Sequence, residues 1–178
     1  DPQVGESFEA GVRYGFNGGK LVGTVTAFKT ELENVPLSDI SGFAVGSQQK
    51  SRGIEVAIKG NVTNNLKIFG TYTYVDSEIL DTDLVDDPAA GEPVPNVAKH
   101  VFSLLASYEF DESTSLLDGL SLTAAVRYIG KRIAGNTFVF PNAPVYAPNP
   151  PPFPPIGFQD VTIPGAKLDP TIRLDVGA

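Results

Sequence analysis

Apolar and polar residues trade places at every step along run after run of this chain, and a sustained period of two is the mark of an extended strand with unlike surroundings on its two sides. In Ser7–Phe16, Phe8, Ala10, Val12, Tyr14 and Phe16 point one way and Glu9, Gly11, Arg13 and Gly15 the other. A strand from Leu21 to about Leu32 alternates more weakly, after an Asn17–Lys20 turn whose Asn and Gly suit the positive φ of a tight hairpin. Ser51–Val62 sets Ile54, Val56, Ile58 and Val62 against Glu55, Ala57, Lys59 and Asn61. From Leu66 to about Ile79, Leu66, Ile68, Gly70, Tyr72 and Tyr74 oppose Lys67, Phe69, Thr71 and Thr73. His100–Phe110 and Leu120–Gly130 repeat the pattern, and Thr171–Ala178 gives Ile172, Leu174, Val176 and Ala178 against Thr171, Arg173, Asp175 and Gly177. The expectation is an all-β antiparallel meander of about seven strands.

Composition narrows the setting. The 18 glycines and 15 prolines, with Val, Ile, Thr, Tyr and Phe in short clusters, fit strands and turns and disfavour helices. No run approaches the ~20 apolar residues that a membrane-crossing helix needs, so any bilayer crossing must use strands. A net charge of −8 with 13 scattered Lys and Arg argues against a nucleic-acid partner. Cysteine is absent, which removes disulfides, thiolate metal sites and thiol nucleophiles. The chain opens directly on DPQVGESFEAGVRYGF without a charged-then-apolar leader and stops inside its last strand, and is therefore read as a piece of a longer protein.

Connector lengths alternate: short after the first, third and fifth strands, long after the second, fourth and sixth. Outer-membrane barrels are built this way, with short periplasmic turns and long extracellular loops. The first strand then descends toward the periplasm, and the outer loops are about Glu33–Lys50, Leu80–Lys99 and Lys131–Lys167. A soluble β-sandwich also alternates, so two readings stay open at this point. Charged residues such as Glu9, Arg13, Glu55, Lys59, Lys67, Glu109, Arg127, Arg173 and Asp175 face either a hydrated lumen or bulk solvent. Tyr14, Phe16, Tyr72, Tyr74, Tyr108, Phe110 and Tyr128 lie on the apolar face near strand ends, where interfacial girdles belong.

The segment SRGIEVAIKGNVTNNLKIFGTYTYVDSEI, Ser51–Ile79, resembles the barrel of TonB-dependent siderophore receptors, in which a "G-x-x-x-S-R-G-x-E" strand precedes a "G-x-Y-x-Y" strand. Neighbouring segments agree in order. SFEAGVRYGF is similar to the family's "E-x-G-x-K-Y" strand, AFKTELENV to its "F-x-x-x-x-x-N" strand end, and PNVAKHVFSLLASYEF to its "P-x-H-x-x-x-L-x-x-Y" strand. GLSLTAAVRYIGKR resembles "L-x-G-x-G-x-x-Y-x-G-x-R", and the terminal TIPGAKLDPTIRLDVGA resembles "L-P-x-Y-x-x-x-D-x-x", with GAKLD in place of the aromatic. The resemblance covers almost the whole chain. It implies that residues 1–178 are part of a 22-stranded transmembrane β-barrel in the bacterial outer membrane, strands fourteen to twenty, without the plug domain and the last strands. It further implies uptake of a ferric siderophore with energy from TonB, which the plug contacts, and a barrel wall that meets outer-membrane lipid. Two alternatives are a soluble β-sandwich binding or adhesion module and a small structural outer-membrane barrel.

Candidate chemistry is sparse. Glu31, Glu33, Asp81, Asp83, Asp86 and Asp87 are carboxylates at strand ends or in loops, where calcium or acid/base roles compete with plain solvated charge. His100 is the single histidine, which precludes a multi-histidine metal site, and it is read as a strand-start residue near the rim. No GxSxG, Walker or dinucleotide-binding pattern occurs, so no catalytic residue is assigned and an enzyme is not expected. The unusual segment is TFVFPNAPVYAPNPPPFPPIGF, Thr137–Phe158, where proline is expected to block regular pairing and favour polyproline II. Its Phe138, Phe140, Tyr146, Phe153 and Phe158 offer apolar surface on the outer rim and are the candidate ligand-binding residues. Aromatic siderophore sites are common in the family, and the chelator supplies the iron's ligands, so the resemblance implies no protein-bound metal or cofactor.

Overall fold

Two-faced strands gain nothing until their backbone groups pair, and each neighbour in the chain supplies the partner for the one before it. In a computed structural model, which describes residues 2–38, 44–82, 89–110, 117, 119–135, 138–145 and 157–177, they form one open antiparallel sheet of seven strands. These are β1 (Val4–Phe16), β2 (Leu21–Ser38), β3 (Ala44–Asn61), β4 (Leu66–Thr82), β5 (His100–Glu109), β6 (Ser121–Ile129) and β11 (Thr171–Gly177), paired in that order. Between β6 and β11 lie two small two-stranded sheets, β7 (Arg132–Ile133) with β10 (Lys167–Leu168), and β8 (Phe138–Val145) with β9 (Gly157–Ile163). No described helix is long and apolar enough to cross a membrane.

Four expectations need correction. The loop expected at Glu33–Lys50 is largely strand, because β2 runs on to Ser38 and β3 starts at Ala44. A bulge between Leu32 and Val35, with Asn34 at φ 56°, absorbs the break in period that hid the continuation. Pro36, registered against Gly46 of β3, lies past Glu33, the last β2 residue that β1 pairs, so this stretch of β2 has the edge character in which proline is found. β4 likewise runs to Thr82, across an irregularity between Gln48 and Gln49 in its partner. The proline-rich segment does pair: β8 and β9 form a hairpin whose register slips between Phe140 and Ala143, so Pro141 falls in the bulge. The fifth connector is longer than the first and third, since β5 ends at Glu109 and β6 begins at Ser121.

Glycine is required at two positions in particular. The first hairpin turns through Asn17, Gly18 and Gly19, all at positive φ, and the Lys20 N–H closes it on the Asn17 carbonyl at 3.3 Å. At Gly53, opposite Phe28 in β2 and Val75 in β4, a Cβ would run into the Tyr74 carbonyl oxygen and lie 2.8 Å from the Phe28 ring. The sheet closes over that position only because it has no side chain.

The sheet is a single layer with almost no core. Among the described residues the buried hydrophobics are Ile79, Ala89 and Ala98, while Val12 at 71% and Leu174 at 72% exposed typify the large apolar residues left open. A β-sandwich would bury one whole face of this sheet against a second. No stacked second sheet is formed by the described residues, so the sandwich alternative is set aside.

Candidate functional site

Cα partners in an antiparallel pair share a face, so the register sorts the side chains into transverse rows. On one face β4 carries Leu66, Ile68, Gly70, Tyr72 and Tyr74, and the rows through them are apolar across the sheet except for His100 opposite Tyr74. The row through Tyr72 runs from Val12, Val25 and Val56 to Phe102, Tyr128 and Ile172. Five rows two residues apart span ~27 Å of strand at roughly 3.4 Å per residue. A tilt of ~40° reduces this to roughly 21 Å, and side-chain reach brings it to the ~25 Å apolar band of an outer-membrane barrel. A contiguous apolar face of this size is a membrane surface.

The band ends sharply. Next to the Tyr74 row stand Lys29, Arg52 and Asp76, consecutive Cα partners in β2, β3 and β4. Arg52 donates to Asp76 Oδ2 at 3.2 Å and Lys99 to Asp76 Oδ1 at 3.1 Å. Just inside this charged edge, His100 bonds Tyr72 Oη through Nδ1 at 2.9 Å, and its ring centroid lies 5.3 Å from that of Tyr74. Amphipathic rings beside charges define a bilayer interface. His100 does start its strand at the rim, and its neighbours are tyrosines.

The opposite face is polar and broken by small residues. One row crosses all seven strands as Arg13, Thr24, Ala57 and Thr71, then Ser103, Arg127 and Arg173. Thr71 and Ser103 share a hydrogen bond at 2.7 Å. Phe69, one row nearer the turn after β1, separates two open concavities. One, of about 290 Å³, includes Arg13, Glu55 and Lys59; the other, of about 270 Å³, includes Ser103, Arg127, Arg173 and Asp175. Alternation alone leaves these charges facing either a lumen or bulk solvent, and it gives no sign that arginines from β1, β6 and β11 share one row.

At the outer rim the connectors are tied down. The segment after β4 returns along it, with Gly91 donating to the Ile79 carbonyl at 2.8 Å and Ile79 donating to that of Glu92 at 2.9 Å. This buries Ile79 fully, beside the buried Ser77 and Gln49. The Asn96 N–H then reaches the Ile133 carbonyl at 2.7 Å and that of Ala134 reaches the Ala166 carbonyl at 2.7 Å, linking the segment after β4 to the β7–β10 pair. That pair leads into the β8–β9 hairpin.

Of the candidate ligand-binding aromatics, the hairpin carries Phe138 and Phe140 on β8 and Phe158 on β9, opposite Ile163, Val161 and Pro144. Tyr146 and Phe153 lie outside the described residues. The candidate carboxylates do not converge. Glu31 takes Lys29 at 2.9 Å, while Glu33 and Asp81 stand on β2 and β4 with β3 between them. Asp83, Asp86 and Asp87 are outside the described residues, among which no three potential ligands gather round a metal-sized point.

Comparison with known proteins agrees with this geometry. A family model described as TonB dependent receptor-like, beta-barrel, matches residues 1–177. The metal-pseudopaline receptor CntO of Pseudomonas aeruginosa is 35% identical over 135 residues, which are 74% of this chain and 18% of that protein. The ferrichrome outer membrane transporter/phage receptor of Escherichia coli is 31% identical over 132 residues, 72% of this chain and 17% of its own length. The chain thus spans less than a fifth of these relatives, which are receptors and transporters. Among solved structures, the siderophore receptor PiuA from Acinetobacter baumannii superposes with a TM-score of 0.66 at 20% identity, covering 97% of this chain and 21% of that one. The ferripyoverdine receptor of the outer membrane of Pseudomonas aeruginosa gives 0.64 at 20% identity, over 99% of this chain and 21% of its own. Apolar outer face, polar inner face and sequence relationship converge: the chain belongs to the TonB-dependent receptors of the bacterial outer membrane, as part of their β-barrel.

Proposed function

We propose that the protein to which this wall belongs takes up a ferric siderophore across the outer membrane with energy delivered by TonB. The observation that carries this reading is the pinned outer rim: the segment after β4 and the β7–β10 pair are tied to one another by backbone bonds, and that pair leads in sequence into the β8–β9 hairpin, on a chain whose sheet has one polar face. The candidate ligand contacts are Phe138, Phe140 and Phe158, which lie on the two strands of that hairpin, and Tyr146 and Phe153, which fall between those strands in sequence. The relatives' substrates, a metal–pseudopaline complex and ferrichrome, are metal chelates, which supports the substrate class. Iron is cargo here, coordinated by its chelator, and no protein side chain acts as cofactor ligand or catalyst. Coupling to TonB is assigned to a plug domain outside residues 1–178, and this chain contributes wall and loops. Radiolabelled iron uptake by an iron-starved host carrying the intact receptor tests the reading, with hydroxamate, catecholate and carboxylate chelates as probes. TonB-dependent uptake of one class, weakened when Phe138, Phe140 and Phe158 are replaced by alanine, is the expected result. Uptake of none, or uptake unchanged by loss of TonB, refutes it.

A further inference from the structure

The inner face gathers cations in a chain whose net charge is −8, and the arrangement is costly unless something answers it. Arg127 on β6 and Arg173 on β11 are direct Cα partners, and like charges opposed across two strands weaken the pairing. Their row contains a third guanidinium, Arg13, three hydroxyl residues and no carboxylate. Arg173 is partly satisfied within its own strand, where Nε and Nη2 donate to Asp175 Oδ1 at 3.1 and 3.0 Å. Arg127 forms no ion pair with a described residue. Both guanidiniums open into the same concavity beside Phe69, which is 48% exposed, and the hydrogen-bonded Thr71 and Ser103 hydroxyls bridge toward the Arg13 side.

Guanidinium remains charged at every physiological pH and presents a planar fork of donors matched to paired oxygens. Two forks side by side, with a phenyl ring next to them and hydroxyls behind, describe a receptor for an oxyanion that also has apolar surface. We infer that the cargo travels along this wall as an anion, its carboxylate or catecholate oxygens held by Arg127 and Arg173, while Phe69 contacts its apolar part. The inference rests on the uptake reading above and adds the charge of the chelate and the wall station that meets it. An acidic side chain of polypeptide filling the lumen is the competing occupant.

The experiment uses the intact receptor in an iron-starved host without other siderophore receptors. Uptake of labelled iron is measured for a neutral ferric trihydroxamate and for two anionic complexes, a ferric tris-catecholate and ferric citrate. Wild type is expected to prefer an anionic complex. The double variant Arg127→Gln, Arg173→Gln is expected to lower the ratio of anionic to neutral uptake by roughly tenfold, the scale of losing charge-assisted hydrogen bonds. Arg127→Lys, Arg173→Lys, which keeps the charge, is expected to recover much of that ratio. An unchanged ratio in the glutamine variant overturns the inference. So does an equal loss for all three complexes with a lower unfolding temperature, which assigns the arginines to polypeptide docking. If wild type transports none of the complexes, the uptake reading itself fails and takes the inference with it; the wild-type arm alone decides that outcome.

Discussion

Ile58 and Ala57 are neighbours in β3 that the structure sends to opposite sides of the sheet, so one substitution made at each position weighs lipid against lumen directly. Ile58 sits in the middle of the five apolar rows, between Gly23 and Gly70, and its Cγ2 lies 3.2 Å from where a Cβ on Gly70 would stand. Arginine there must place its guanidinium near the centre of the apolar band, and a lipid-facing arginine at that depth costs about 2–4 kcal/mol. The folding constant should fall roughly 30- to 700-fold, at 1.4 kcal/mol per factor of ten. Ala57 lies in the polar row between Thr24 and Thr71, and Ala57→Arg adds a side chain to a hydrated lumen at a cost of about 0.5 kcal/mol or less. The intact receptor is folded into lipid vesicles, and the folded fraction is read against urea from the shift in gel mobility of unheated samples. Ile58→Arg should move the midpoint far to lower urea and Ala57→Arg should barely move it. Equal shifts, or a larger one for Ala57→Arg, would refute the assignment of the faces and with it the membrane reading of the sheet.

Other outcomes follow from local geometry. Gly53→Ala should destabilise by about 1–3 kcal/mol, the range for overpacking. Adding Phe28→Ala should not restore stability, because the Tyr74 carbonyl oxygen still blocks the new Cβ; recovery in the same urea titration would show that the ring, not the backbone, sets the constraint. Asp76→Ala removes the shared partner of Arg52 and Lys99, yet Asp76 is 32% exposed, so thermal unfolding should reveal a loss below about 1 kcal/mol. A loss of several kcal/mol would mean that this edge is buried in the membrane. Gly18→Val forces a β-branched residue into φ 65° and should cost about 1 kcal/mol or more, slowing closure of the first hairpin in stopped-flow folding. A neutral result would show that the turn relaxes.

Seen strand by strand, the sequence already determined much of this protein. Alternation is set by the pleat within a single segment, so the two faces of β1, the polar face of Arg127 and the apolar face of Tyr72 were legible from residues two apart. The NGGK turn was legible for the same reason, since only Asn and Gly take its backbone angles cheaply. Where the period slipped, local reading stopped short: β2 and β3 were cut at the Asn34 bulge, and the prolines of β8 concealed a hairpin that absorbs Pro141 in a register slip. Of the candidate aromatics, the sequence supplied the residues and the structure supplied a paired scaffold for Phe138, Phe140 and Phe158. The shared row of Arg13, Arg127 and Arg173 belonged to the tertiary structure alone, as did the backbone bonds that tie the outer loops together. Side-chain direction along a strand is a property of a few consecutive peptide units, whereas register is fixed by hydrogen bonds between segments far apart in the chain, and no pattern inside either segment contains it.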